Sequence, residues 1–215
     1  MGTCKGVIFD LDGTLLDTLQ DLRDSVNEIL RNHGYPERSL EDIRNFVGNG
    51  ARNLICRALP EGSSSEEMEQ CFIEYRAYYA EHSQIKTCPY EGIPELLQEL
   101  KNRRIVLAVV SNKSEDTVKE LCKIYFPGSI AVATGDLQGY QKKPAPDNVI
   151  RAMECAGIEK EAAIYVGDSE VDIQTARNCG LKGVFVSWGF RDKTYLKECG
   201  AEDIIDNPLE LLSYL

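Results

Sequence analysis

The chain has 215 residues, 43% of them hydrophobic and 27% charged, the balance of an ordinary globular protein. Its 35 acidic against 24 basic residues leave a net charge of −11, which argues against nucleic acid or an anionic membrane surface as a partner. No run reaches the roughly 18 apolar residues of a membrane span, the start lacks a signal-peptide pattern, and the eight cysteines form no CxxC pair, so they read as reduced thiols of a cytoplasmic protein.

The first element is a short apolar run, Gly6–Phe9, that ends directly in Asp10-Leu11-Asp12-Gly13-Thr14. Four more runs of the same kind follow at Ile105–Val110, Ile130–Thr134, Ala163–Val166 and Gly183–Ser187. They are nearly continuous in Val, Ile, Ala and Phe rather than alternating, which suits strands covered on both faces of a parallel sheet. Between the first and second runs, residues 17–88 carry only helical patterns. Leu19, Leu22, Val26, Ile29 and Leu30 mark one helix, with Asp17 and Gln20 as an expected capping pair; others are expected at Leu40–Phe46, Ala51–Leu59 and Ser65–Glu81. An insert of this length is too long for a loop. From Ile93–Leu100 onward, helices at Ser114–Tyr125, Asp147–Ala156 and Ser169–Asn178 alternate with the strands. The expected fold is α/β: a Rossmann-like, doubly wound parallel sheet (residues 1–16 and 89–215) with a small all-helical domain (17–88) inserted after the first strand.

In open parallel sheets, sites form beyond the carboxyl ends of the strands. Asp10 and Asp12 follow the first strand, and Ser111, Asn112 and Lys113 the second. The third leads to Lys142, Lys143 and Pro144, and the fourth to Gly167, Asp168 and Ser169 with Asp172 one turn later. Carboxylates brought within about 4 Å of one another repel by ~4 kcal/mol per pair at an effective dielectric near 20. Such a cluster calls for a hard divalent cation, and Mg2+ prefers few carboxylates together with waters and a phosphate. The metal would draw a phosphoryl group to an acidic protein, Lys143 and the Ser111 hydroxyl would take its remaining oxygens, and a carboxylate could attack phosphorus.

Asp10-Leu11-Asp12-Gly13-Thr14, Ser111, Lys143-Pro144 and Gly167-Asp168-Ser169-Glu170-Val171-Asp172, in this order, resemble the four motifs of the haloacid dehalogenase-like hydrolase superfamily. The resemblance covers essentially the whole chain, the helical insert standing where that family carries a cap. It implies Asp10 as nucleophile and metal ligand. Asp12 is implied as general acid and then base, with its backbone carbonyl on the metal, Asp168 as the other metal carboxylate, and Asp172 as a metal-site carboxylate orienting a bound water. Ser111 and Lys143 would complete the catalytic set, the family placing its lysine directly before proline rather than at Lys142. Gly13, Thr14, Asn112 and Arg52 are the expected substrate contacts, with a surface arginine as the favoured alternative for Arg52. The Asp at position 12 points within the superfamily to phosphoryl transfer rather than dehalogenation.

The segment Val47–Arg52 resembles the cap loop of the phosphoglycolate phosphatase-like branch. The implied protein is a Mg2+-dependent phosphatase of small phosphorylated metabolites, working through an aspartyl-phosphate as a monomer or homodimer. A phosphoglucomutase-like isomerase, a pyrophosphatase or nucleotidase of the same superfamily, and a phospho-accepting signalling or regulatory protein stand as alternatives. Trp188-Gly189-Phe190-Arg191 resembles a loop of some members and reads equally well as core and turn.

Overall fold

The computed structural model describes residues 4–215, which form two compact units. One consists of the chain up to Leu16 together with Pro89–Leu215, the other of Asp17–Cys88.

The first unit is built on a six-stranded parallel sheet in the order β5-β4-β1-β6-β7-β8. In chain order its strands are β1 (Gly6–Phe9), β4 (Val106–Ser114), β5 (Val132–Asp136), β6 (Ala163–Gly167), β7 (Lys182–Val186) and β8 (Ile204–Ile205). Helices α5 (Ile93–Asn102), α6 (Glu115–Tyr125), α7 (Asp147–Ala156), α8 (Glu170–Cys179) and α9 (Lys193–Glu198) connect them. The chain leaves this unit through β2 (Leu16–Asp17) and returns through β3 (Cys88–Pro89). Side chains alternate across the sheet, so each strand feeds two cores. Val7, Phe9, Val109, Val166 and Val184 pack on one face with Leu96, Leu100 and Leu121; Ile8, Ala108, Val110 and Tyr165 pack on the other with Val149, Ala152 and Ile173. Burying each large apolar side chain contributes roughly 1.5–3 kcal/mol, which is why these runs carry no polar residue until the strand ends.

Register sets where the ends fall. Phe9 lies opposite both Val109 of β4 and Val166 of β6. Asp10, Ser111 and Asp168, each one or two residues further on, therefore emerge at one sheet edge.

The second unit is all helical: α1 (Leu19–Asn32), α2 (Leu40–Phe46), α3 (Ala51–Ala58) and α4 (Ser65–His82). Ser39 with Asp42 and Ser64 with Glu67 form capping boxes that satisfy the first N–H groups of α2 and α4. Helix α1 starts differently from the sequence expectation. Thr18 is its N-cap without a side-chain cap, and Asp17 accepts from Leu19 N–H at 3.2 Å instead of pairing with Gln20. One turn on, buried Asp21 accepts from Lys86 N–H, Thr87 N–H and the Thr87 hydroxyl, tying the first helix to the last residues of the unit. No helix of the described residues is long and apolar enough to cross a membrane.

Candidate active site

Asp10 follows the last residue of β1 and is 7% exposed. Its carboxylate accepts from Leu11 N–H at 2.7 Å and pairs with the Lys143 ammonium at 2.8 Å. Asp168, 1% exposed at the end of β6, accepts from Phe190 N–H at 2.7 Å. Asp172 lies in the first turn of α8 and is fully buried. Its Oδ1 accepts from Lys143 Nζ and the Tyr165 hydroxyl, each at 2.8 Å. Its Oδ2 accepts from the Ser169 hydroxyl at 2.6 Å and from the backbone N–H groups of Ser169 and Asp168.

Among the described residues, Asp10, Asp168 and Asp172 are the group of carboxylates able to hold a metal, with one oxygen of each within 4.8 Å of the others. One buried ammonium faces these three carboxyl groups, and the electrostatics record the mismatch. Burial, with Asp172 and Asp12 adding to it, pushes the Asp10 carboxyl up to about 7 despite Lys143. Burial, then Asp172 and Asp10, push Asp168 well above the usual carboxylate range. Burial alone would raise Asp172 too, but Lys143, Ser169 and Tyr165 outweigh it and hold Asp172 below that range. Burial would likewise lower Lys143, but Asp10 and Asp172 hold its ammonium above its ordinary pKa. The protein alone thus compensates one carboxylate well and leaves two in excess. This donor set fits a divalent, oxygen-preferring cation. The five hydrogen bonds on Asp172 fill the roughly four lone-pair sites of a carboxylate, so Asp10 and Asp168 are the side chains with room to bind a metal directly.

Asp12 stands apart from that group. It pairs with Lys113 at 3.0 Å and accepts a long hydrogen bond from the Ser111 hydroxyl at 3.4 Å. The expectation that places Asp12 on the metal is restricted to its backbone carbonyl, and the side chain is positioned by the end of β4. Ser111 Oγ also accepts from Lys113 N–H at 3.2 Å, which folds this three-residue stretch around Asp12. Asn112 donates to the Lys143 carbonyl at 3.0 Å, fixing the backbone that delivers the lysine. Lys142 is half-buried and pairs with Asp136 at 2.8 Å, so of the two neighbouring lysines it is Lys143 that reaches the carboxylates. Thr14 is buried, its hydroxyl has no hydrogen-bond partner among the described residues, and its carbonyl accepts from Trp188 Nε1–H at 3.1 Å.

Gly13 carries the turn at φ +85°, and a Cβ there would lie 2.2 Å from Asp168 Oδ2. Gly13→Ala is expected to displace that carboxylate and to cost about 1–2 kcal/mol for the left-handed backbone. A shift of about 1 Å in a catalytic group lowers turnover on the order of a hundred-fold. Steady-state kinetics beside a thermal melt separate the two effects.

In the helical unit, Arg52 forms a bidentate pair with Glu69 and lies over the Phe72 ring at 4.3 Å. Its charge is already engaged inside that unit, which favours the surface-arginine reading over a substrate contact. Gly48 and Gly50, on either side of Asn49, both have positive φ, so the loop before α3 does depend on its glycines.

Sequence reasoning gives no role to three contributors to the site. Lys113 is placed at the strand end with Ser111 and Asn112 but without a task; its side chain is 7% exposed and turned onto Asp12. Tyr165 reads as one more bulky core residue of β6, but its hydroxyl bridges Lys143 and Asp172. The loop Trp188–Phe190 reaches both Thr14 and Asp168, a contact across 174 residues for Trp188, and its resemblance to a loop of some family members is the signal for it.

A family model for haloacid dehalogenase-like hydrolases matches residues 7–186. The phosphoglycolate phosphatase of Aquifex aeolicus is 34% identical over 189 residues, 86% of this chain and 85% of that protein. An N-acetylmuramic acid 6-phosphate phosphatase of Pseudomonas aeruginosa is 32% identical over 98% of this chain and 94% of its own length. The crystal structure of a phosphoglycolate phosphatase candidate from Lactobacillus delbrueckii subsp. bulgaricus superposes with a TM-score of 0.94 at 35% identity, covering 99% of this chain and 98% of that one. The buried carboxylates, their lysine and these likenesses agree, and the chain belongs to the haloacid dehalogenase-like hydrolase family, in its phosphoglycolate phosphatase-like branch.

Proposed function

We propose that this phosphatase hydrolyses small phosphomonoesters of carboxylic acids with Mg2+ as its cation, and that Asp10 and Asp12 divide the chemistry. The observation that carries this reading is the pairing of a buried, under-compensated carboxylate (Asp10 beside Lys143) with a second aspartate two residues on, held in a different setting by Lys113. Two carboxyl groups in unlike environments suit two roles, one as nucleophile and one as proton carrier.

In the first step an Asp10 oxygen attacks phosphorus, the ester P–O bond breaks, and Asp12 gives its proton to the leaving oxygen, so the alcohol departs neutral. In the second, Asp12 takes a proton from water as that water attacks phosphorus; the bond to Asp10 breaks and inorganic phosphate leaves. Lys143 and the Ser111 hydroxyl hold phosphoryl oxygens. Asp10, Asp168 and the Asp12 carbonyl would hold Mg2+, which would supply positive charge to the phosphoryl group, while Asp172 orients Lys143. The domain division follows the same logic. The α/β unit holds the phosphoryl machinery, so we assign choice of leaving group to the helical unit as a cap. Phosphoglycolate and N-acetylmuramic acid 6-phosphate, named for two relatives, both present a carboxylate besides the phosphate, which supports an acid as the leaving group. We place the enzyme in the cytoplasm as a monomer or homodimer.

Phosphate release from a panel of phosphoglycolate, sugar phosphates, nucleoside monophosphates and pyrophosphate, with and without Mg2+, tests this. Metal-dependent release with phosphorylated acids ahead in kcat/KM supports the reading. Turnover of sugar phosphates by isomerisation without phosphate release would show a mutase, and preference for pyrophosphate or nucleotides would move the substrate class. Without substrate, saturating Mg2+ is expected to raise the melting temperature, about 2.7 kcal/mol of stabilisation at a hundred times Kd. Calorimetry against an EDTA-treated sample checks it.

A further inference from the structure

The loop after β7 makes three contacts with the ends of other elements. Trp188 Nε1–H donates to the Thr14 carbonyl at 3.1 Å, Phe190 N–H donates to Asp168 Oδ2 at 2.7 Å, and Arg191 Nε donates to Glu170 Oε2 at 3.0 Å. These reach, in turn, the Asp12–Thr14 turn, the metal-site carboxylate at the end of β6, and the first residue of α8. Between the two aromatics, Gly189 packs so closely that a Cβ there would lie 2.4 Å from both Asp168 Cβ and the Gly13 carbonyl oxygen. Phe190 is buried and Trp188 packs against the core beneath the sheet edge, so the loop is anchored rather than draped.

We propose that Trp188-Gly189-Phe190 is a clamp that sets the geometry of the metal-binding pair of strand ends, with Trp188 as a positioning residue for the Asp12–Thr14 turn and the Phe190 amide orienting the Asp168 carboxylate. The argument is one of degrees of freedom. Asp168 is followed by Ser169 and Asp172, whose hydrogen bonds fix the backbone and do not engage the Asp168 carboxylate. Among the described residues it is Phe190 N–H that donates to that carboxylate, directing Oδ2, while one oxygen of Asp168 lies within 4.8 Å of Asp10. On the other strand, the Gly13 turn carries the Asp12 carbonyl, and the indole N–H is what ties the far end of that turn to the same loop. A carboxylate and a carbonyl that must share one cation are thereby referred to a single rigid segment. Partners of this kind, which touch ligands rather than the ion, typically govern affinity or activity by ten- to a hundred-fold.

This inference rests on the Mg2+ reading above, so its test keeps the two apart. Trp188→Phe keeps the aromatic packing and deletes only the N–H. It is expected to weaken Mg2+ binding, measured by calorimetry on the substrate-free protein, about ten-fold, and to lower kcat at saturating Mg2+ by a similar factor with KM nearly unchanged. Gly189→Ala, which forces the backbone off Asp168, is expected to weaken Mg2+ binding by roughly a hundred-fold with the far-ultraviolet circular dichroism retained. Trp188 is the chain's only tryptophan. Its emission in the wild-type protein should therefore change saturably on Mg2+ titration, with the calorimetric Kd. If the wild type binds Mg2+ and releases phosphate while Trp188→Phe matches it in both Mg2+ affinity and kcat, the clamp is refuted and the site stands. A variant that melts earlier but keeps wild-type affinity and kcat below its transition has a packing role only, which also refutes it. If the wild type neither binds Mg2+ nor releases phosphate, the site reading and the clamp fall together.

Discussion

Replacing Asp10 by Asn is expected to abolish turnover, by at least about four orders of magnitude, and to leave the Mg2+-free protein no less stable than the wild type. The first half follows from the nucleophile's role, since an amide oxygen is a far poorer nucleophile toward phosphorus than a carboxylate. The second follows from charge. Burial holds the Asp10 carboxyl up at about 7, far above its unfolded value of 3.8, so the folded state favours its protonated form. For an acid raised on folding, stability is greatest below the unfolded pKa and falls as pH rises through the interval from 3.8 to about 7. At neutral pH and above, the wild type carries that cost in full and the Asn variant does not. Wild-type-like phosphate release by Asp10→Asn would remove Asp10 as nucleophile, and a large drop in its Mg2+-free melting temperature would contradict the charge account.

Lys143→Met should lose both activity and stability. Lys143 is 5% exposed, and its ammonium lies 2.8 Å from both Asp10 and Asp172. Removing one partner of a buried ion pair leaves uncompensated charge, at a cost of about 3–5 kcal/mol. Here two carboxylates and the Tyr165 hydroxyl lose their shared partner. The melting temperature is expected to fall accordingly, and turnover with it, because the phosphoryl oxygens lose their cation. Combining Lys143→Met with Asp10→Asn should restore much of the stability and none of the activity. A Lys143→Met protein as stable as the wild type would mean that the buried cluster is not held by this lysine.

How far the sequence carried these conclusions depends on the element. β1 was readable to the residue, because Gly6–Phe9 is uniformly apolar and stops at Asp10. β4 was read as ending at Val110, its last apolar residue, whereas the extended backbone continues to Ser114 through an irregular stretch of pairing. That polar extension presents Ser111, Asn112 and Lys113 to the site, and hydrophobic patterning is blind to it. α9 and β8 went unread for a related reason: six residues with Leu196 alone buried, and a two-residue strand, give too little periodicity to register. Asp10, Asp168 and Asp172 each follow a strand or open a helix, so register gathers them, and the loop before α7 brings Lys143 onto Asp10 and Asp172. Long-range partners were not legible. Nothing in the order of residues says that Tyr165 turns its hydroxyl to Lys143, that Lys113 folds back on Asp12, or that Glu69 and Phe72 engage Arg52.

Trapping the covalent intermediate tests the central claim most directly. The wild-type enzyme is mixed with Mg2+ and its best substrate from the panel, quenched within a turnover, and reduced with borohydride, which converts an aspartyl-phosphate to homoserine. Peptide mass analysis should find homoserine at position 10 alone, and none in Asp10→Asn or in enzyme without substrate. Conversion at another aspartate would assign the nucleophile elsewhere. Rapid phosphate release with no trapped carboxylate at any position would contradict an aspartyl-phosphate mechanism altogether.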